Sequence, residues 1–153
     1  RPQIMKGYWN KDEETKKSLI DGWMHTGDAG FMDEEGYVYI QDRIKDMIVS
    51  GGENIYSTEV EAALFAHPEI VDAAVIGIPD DKLGEAVKAC VVKKDGSLLP
   101  DIELINFCKE KIASYKKPKS VDFISEVPRN ASGKVLKKNL REPYWKDKDR
   151  QVS

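Results

Sequence analysis

Apolar positions along this chain change period several times, and each change marks an element. Asn10-Lys11-Asp12-Glu13-Glu14-Thr15 predicts a helix start, with Asn10 as N-cap and acids in the first turn. That helix is expected to reach about Asp21, where Gly22 ends it. Phe31-Met32, the turn Asp33-Glu34-Glu35-Gly36 and the alternating Tyr37-Val38-Tyr39-Ile40 predict a hairpin. A second hairpin-like stretch surrounds Asp46-Met47-Ile48-Val49 and stops at Gly51-Gly52. From Ser57 or Thr58 a helix turns Val60, Ala63, Leu64 and His67 to one side, and Pro68 closes it. Ile70 to Ile78 reads as a buried strand, and Val87-Ala89-Val91 as an alternating one. Pro100 opens a helix lined by Ile102, Ile105, Cys108 and Ile112. A short strand at Val121-Asp122-Phe123-Ile124 follows, then a loop over 128–133, Lys134, and a short amphipathic helix with Leu136 and Leu140.

From about Ile44 the order is therefore strand, helix, strand, strand, helix, strand, helix. This predicts a small α+β domain with a short central β-sheet flanked by helices. The first 42 residues hold their own hairpin and look too short to fold alone, so they are expected to end a preceding domain. The expected boundaries are 1–42, 43–142 and a tail at 143–153. No internal repeat is visible. Position 1 is Arg rather than Met, which fits a piece of a longer chain, although processing or an expression boundary would look the same.

Composition narrows the function classes. The length of 153 residues suits one ordinary domain, and an apolar fraction of 41% is that of a globular chain rather than a disordered one. No apolar run approaches the roughly 20 residues that span a bilayer, and no signal-peptide pattern opens the chain. Cys90 and Cys108 lie 18 apart with no histidine at ligand spacing, so buried structural thiols and a reducing cytoplasm are expected. Peripheral association with a membrane stays open. From Lys109 onward Lys and Arg number 13 against 6 acids, whereas the residues before it carry 11 against 21. A basic end suits an anionic small molecule or a solvated face. Interleaved aromatics are too few for nucleic acid.

Four segments carry candidate chemistry. In His25-Thr26-Gly27-Asp28-Ala29-Gly30 a carboxylate beside a glycine turn can accept hydrogen bonds from both ribose hydroxyls. TGD is also an ordinary turn. Asp42-Arg43-Ile44-Lys45-Asp46 places four charges in five residues, reading either as an arginine for ribose or phosphate or as a wet connection. Ser50-Gly51-Gly52-Glu53 allows close approach of a ligand to backbone, or simply positive φ. Pro128-Arg129-Asn130-Ala131-Ser132-Gly133-Lys134 sets one lysine on an exposed, mobile platform. Its point charge suits oxygens that gain charge during transfer. It lacks the first glycine and the following Ser/Thr of a phosphate-binding GxxxxGK loop.

In this order and at these separations, GWMHTGDAG (22–30), DRIKDMIVSGGENIYSTEVE (42–61) and PRNASGKVLKK (128–138) resemble the adenylate-forming enzymes. That family includes acyl-CoA synthetases, peptide-synthetase adenylation domains and firefly-type luciferases. The resemblance runs from Gly7 through Arg141, and Gly-Gly-Glu-Asn-Ile together with Leu-Arg-Glu-Pro-Tyr-Trp looks most like fatty-acid CoA ligases.

The resemblance implies two half-reactions: a carboxylate attacks the α-phosphate of Mg2+-ATP to give acyl-adenylate, and the CoA thiol then displaces AMP. It implies that Asp28 and Arg43 meet the nucleotide, that Lys134 is the catalytic lysine of adenylation, and that Lys45 is the hinge of a mobile C-terminal lid. It also implies that Gly51 and Gly52 line the CoA tunnel, and that residues 1–42 are the β-hairpin remnant of a large N-terminal AMP-binding domain. That domain, a fatty-acid substrate and CoA are then the expected partners. No metal site is expected in this chain. The phosphate loop and acyl pocket lie upstream in such enzymes, so this chain alone is expected to hold neither ATP nor CoA tightly and to be inactive. Two rivals remain: an adenylation domain that loads a carrier protein, and a non-catalytic α+β interaction module.

Overall fold

The computed structural model describes residues 3–146, and its chain splits into two compact units between Arg43 and Ile44. In the first unit, helix α1 covers Asp12–Ser18. It is shorter than the predicted span from Asn10 to Asp21, for a local reason. Asn10 sits at φ 52°, outside the extended conformation an N-cap needs, and Lys11 takes the cap position without a side-chain bond. Leu19–Ile20 (β1) then pairs with Trp23–Met24 (β2) around Asp21-Gly22, both at positive φ. Asp-Gly in a two-residue loop is a hairpin turn, so Gly22 closes a hairpin and does not cap a helix.

Strands β3 (Asp28–Met32) and β4 (Val38–Arg43) form the expected hairpin. Its turn is closed by Asp33, whose Oδ1 accepts hydrogen bonds from the backbone N–H groups of Glu35 and Tyr37 while Oδ2 accepts one from the Tyr39 hydroxyl. A bulge interrupts the register between Ala29 and Gly30, and a Cβ on Gly30 would lie 2.3 Å from the Tyr39 carbonyl oxygen. Only glycine fits that approach.

The second unit opens with a 3-10 turn at Ile44–Asp46. β5 (Ile48–Ser50) and β6 (Glu53–Ile55) follow, joined by Gly51 and Gly52 at φ 62° and 85°. Two consecutive positive φ values are what a tight two-residue hairpin loop requires. Then come α2 (Ser57–Phe65), β7 (Ile70–Asp80), β8 (Gly84–Lys93), α3 (Asp101–Lys111), β9 (Ser120–Phe123) and α4 (Lys137–Trp145). The sheet runs β6-β5-β8-β7 with antiparallel neighbours, and β9 lies parallel against β8. This is the α+β domain the sequence pattern predicts.

One sheet face packs against α2 and α3, where Val60, Leu64, Val75, Val87, Ala89, Val91, Leu104 and Cys108 form one apolar cluster. β8 is not half-exposed as its alternation suggests. Ala86, Lys88 and Cys90 on its other face are buried as well, because α4 packs over that side while β9 pairs along the edge of β8. On α3 the inward pair is Leu104 and Cys108, while Ile102 is 59% exposed. Tyr144 and Trp145, assigned to a tail on sequence grounds, belong to α4, and the tail's remaining residues 147–153 lie outside the described part. No helix among the described residues is long and apolar enough to cross a membrane.

Candidate functional site

Two of the predicted residues meet in the first unit. Asp28 opens β3, Arg43 ends β4, and the strands bring them opposite one another. Arg43 Nε lies 2.9 Å from Asp28 Oδ1, and Arg43 Nη1 donates to the Thr26 carbonyl at 3.4 Å. The Thr26 hydroxyl in turn accepts the Asp28 N–H at 3.2 Å. Asp28 is about a quarter exposed and Arg43 half exposed, so a carboxylate and a guanidinium stand together at a solvent-facing strand end. The separation of 15 residues hides this pairing, and the hairpin turn at Asp33–Gly36 creates it.

The other predicted residues lie in the second unit on separate elements. Lys45 occupies the 3-10 turn, and its carbonyl accepts a hydrogen bond from Arg141 Nη1 at 3.3 Å. Gly51 closely approaches the turn that leads into β8: its N–H donates to the Leu83 carbonyl at 2.9 Å, and a Cβ would touch the Leu83 side chain at 3.3 Å. Above Gly52 nothing lies within 4 Å. Positive φ explains both glycines by itself, while the open space over Gly52 leaves room for a narrow ligand to pass along the backbone.

Lys134 is exposed, and its ammonium has no hydrogen-bond or ion-pair partner among the described residues. Its backbone is the reverse of loose. Asn130 Oδ1 accepts from the Ser132 N–H, the Ser132 hydroxyl and the Lys134 N–H at 2.8 to 3.0 Å. The Asn130 N–H donates to the Lys134 carbonyl, and the Leu136 N–H to the Pro128 carbonyl. Arg129 spans the loop, its Nη1 donating to the Gly133 carbonyl and its Nη2 lying 2.9 Å from both carboxylate oxygens of Asp72 on β7. The loop expected as a mobile platform is a bonded hairpin fixed to the sheet, presenting a free cation on a firm base.

Just beyond, Lys137 Nζ contacts Glu61 at 2.7 Å and the buried Ser57 hydroxyl at 2.5 Å. Arg141 pairs with Asp46 at 2.8 Å. The Tyr144 hydroxyl donates to Asp122 at 2.6 Å, beside the Lys88–Asp122 pair at 2.7 Å. The Trp145 indole N–H donates to the Gly77 carbonyl at 3.0 Å. Burial works to raise the Asp122 carboxyl, but hydrogen bonds from Lys88 and Tyr144 outweigh it and hold it below its ordinary range. Burial, then the bond to Asp122, pushes the Tyr144 phenol up.

In the sequence these anchoring residues, Lys137, Arg141, Tyr144 and Trp145, stand only as letters of family motifs, while Leu136 and Leu140 are marked for packing, so the anchoring role was not singled out. The spacing of Lys137, Arg141, Tyr144 and Trp145, on one helical face, was the signal that could have found them. Both cysteines are buried free thiols, as expected. Among the described residues no group of three or more His, Cys, Asp or Glu is placed to hold a metal.

Comparison with known proteins supplies the family. The AMP-binding enzyme C-terminal domain matches residues 59–134. The chain is 52% identical over 141 residues to a long-chain-fatty-acid–CoA ligase of Bacillus subtilis (strain 168), covering 92% of this chain and 25% of that protein. It is 46% identical over 152 residues to the fatty acid–[acyl-carrier-protein] ligase ScoC of Streptomyces coeruleorubidus, covering 99% of this chain and 29% of that one. A 2-succinylbenzoate–CoA ligase of Bacillus cereus is also 46% identical, over 92% of this chain and 29% of its own. Among solved structures, ATP-bound MatB of Rhodopseudomonas palustris matches at a TM-score of 0.85 and 41% identity, over 94% of this chain and 29% of MatB. The chain thus spans between a quarter and three tenths of the proteins it resembles. Motif order, fold and relatives converge: this chain belongs to the adenylate-forming, AMP-binding enzymes, and it carries their C-terminal part.

Proposed function

We propose that this chain is the C-terminal portion of an ATP-dependent acyl-CoA synthetase of the cytoplasm, in which Lys134 is the catalytic lysine of acyl-adenylate formation. The observation that carries this reading is the exposed, unpartnered Lys134 ammonium on a loop held by Asn130 and Arg129. A preorganised cation on a fixed backbone stabilises charge developing on carboxylate and phosphate oxygens without reorganising at the moment of reaction. Asp28 takes the ribose hydroxyls of ATP, and Arg43, at 2.9 Å, orients that carboxylate and adds positive charge beside it. Lys45 is the pivot about which the second unit turns between half-reactions. The Gly51-Gly52 turn then lines the path of the CoA pantetheine. ATP with Mg2+, a fatty acid and CoA are the substrates. The remainder of the enzyme, with its phosphate loop and acyl pocket, is the partner of this chain.

The fatty-acid assignment draws on the Bacillus subtilis relative, and the 2-succinylbenzoate relative marks its rival. The Streptomyces relative, named for a carrier protein, favours a second reading in which the acyl group passes to a carrier. Thioester formation with free CoA separates the two acceptors, because a carrier-dependent enzyme leaves CoA unused.

The deciding experiment uses the parent enzyme, or a chimera joining this chain to the upstream part of the Bacillus subtilis relative. Lys134→Ala is expected to abolish ATP–pyrophosphate exchange while supplied acyl-adenylate is still converted to thioester. Equal loss in both steps would refute the assignment of Lys134 to adenylation alone. The chain by itself is expected to catalyse neither step, and micromolar ATP binding in calorimetry would contradict that.

A further inference from the structure

Helix α4 has no fully buried residue, yet one face of it is fastened at four points. The most instructive of these is Arg141. Its Nη1 donates to Asp46 Oδ1 at 2.8 Å and to the Lys45 carbonyl at 3.3 Å. The Arg141 and Asp46 side chains are only 13% and 15% exposed, so the pair is sheltered from the water that weakens surface ion pairs. The Lys45 carbonyl belongs to the rigid peptide plane between Lys45 and Asp46, on the downstream side of the Lys45 torsions. Arg141 therefore holds both that plane and the side chain following it against α4. On the upstream side, Arg43 is held inside its own unit by Asp28 and the Thr26 carbonyl. Between the two anchored points lie only Ile44 and the torsions of Lys45.

We propose that Arg141 is a positioning residue that clamps the Lys45–Asp46 peptide to α4, so that turning at this segment is confined to Ile44 and Lys45. This rests on the reading of Lys45 as the pivot. Without the clamp, Asp46 and Met47 share the rotation, and the second unit arrives in a wider spread of orientations. A smaller productive fraction lowers the apparent rate by that fraction, whichever half-reaction is measured. Arg141 thus serves both steps equally. Lys137, at the start of the same helix and beside the Lys134 loop, is the contrasting case, fastened to Glu61 and Ser57 rather than to the turn at Lys45.

The test measures the two half-reactions separately in the parent enzyme or the chimera described above. Arg141→Met is expected to lower pyrophosphate exchange and thioester formation from acyl-adenylate by the same factor, about tenfold. Lys137→Met, which leaves the contacts of Arg141 in place, is expected to show no such equal loss. Arg141→Lys keeps the charge for Asp46 but cannot span both acceptors, so an intermediate loss, again equal in both steps, is expected. Hydrogen exchange provides a second readout that does not depend on activity. The Met47 amide, bonded to the Ile44 carbonyl at 3.3 Å, should lose protection in Arg141→Met while the β7 and β8 amides keep theirs. Unchanged Met47 protection, or loss confined to one half-reaction, overturns the clamp. Lowered thermal stability with both rates intact overturns it too, since that marks a merely structural contact. An unmodified chimera that performs neither half-reaction sinks the functional reading instead, and the exchange measurement still decides the clamp.

Discussion

Lys137→Met separates a sheltered ion pair from its neighbours on the surface. Lys137 Nζ lies 2.7 Å from Glu61 Oε1 and 2.5 Å from the Ser57 hydroxyl, with the two charged side chains 12% and 16% exposed. Methionine keeps the apolar stem that lies along the domain, so packing is largely conserved. What changes is that the Glu61 carboxylate loses a near cation in a place water hardly reaches. Removing one partner of a buried pair costs about 3–5 kcal/mol. The Val75 N–H still donates to Glu61 Oε1 at 2.8 Å, which places the expected loss near the lower end, about 3 kcal/mol. By contrast, Arg129–Asp72 is 42% and 23% exposed, and Arg129→Met is expected to cost about 0–1 kcal/mol. Urea denaturation of the chain at neutral pH, followed by tryptophan fluorescence and circular dichroism, measures both. Adding Glu61→Gln to Lys137→Met removes the stranded charge while keeping an acceptor for Val75, and should recover at least about 1 kcal/mol. If Lys137→Met costs less than the Arg129 variant, or if the second substitution makes matters worse, the reasoning from burial is wrong.

Other predictions concern separate parts of the molecule. Burial pushes the Cys90 thiol up to about 11, with Asp122 adding and Lys88 opposing, and burial alone does the same for Cys108. Against an ordinary thiol, labelling of the native chain at pH 8 should be at least about a hundredfold slower, and fast labelling before unfolding would contradict the buried placement. Asp122 has a folded pKa below its ordinary 3.8, so its stabilising contribution is present above that value and fades as pH falls through the lowered one. Asp122→Asn should therefore be less stable than the parent chain near neutral pH, with the gap closing as pH falls below the ordinary 3.8; a gap that widens in acid reverses the sign and the explanation. Gly52→Ala places a side chain at φ 85° but meets no atom within 4 Å, so a loss of about 1–2 kcal/mol with the fold intact is expected. Under the proposed function it should also slow thioester formation more than adenylation in the chimera, and equal rates would remove Gly52 from the CoA path.

Local chemistry determined a good deal here. Glycine pairs, prolines and apolar periodicity are interactions over a few residues, so the hairpin at Asp33–Gly36, the helix at Ser57 and the strand at Ile70 were legible. Gly51-Gly52, by contrast, was expected to end a hairpin-like stretch around 46–49 and is itself the turn between β5 and an unexpected strand β6. The order of TGD, DRIKD, SGGEN and SGK also carried the family, which the domain match and the relatives bear out. Where local rules competed, the outcome waited for the fold. Asp21-Gly22 suits a helix end or a hairpin turn, and pairing of Leu19–Ile20 with Trp23–Met24 selected the turn. Burial of both faces of β8 depended on α2 and α3 on one side and α4 on the other, with α4 far away in sequence. The pairing of Asp28 with Arg43, of Arg129 with Asp72 and of Arg141 with Asp46 joins residues 15, 57 and 95 positions apart, as the numbering shows. An ion pair is set by distance in space, and the motif spelling around Lys134 carries none of it. Sequence alone therefore named the lysine, and tertiary structure decided that its loop is bonded, anchored and followed by a helix gripping the turn at Lys45.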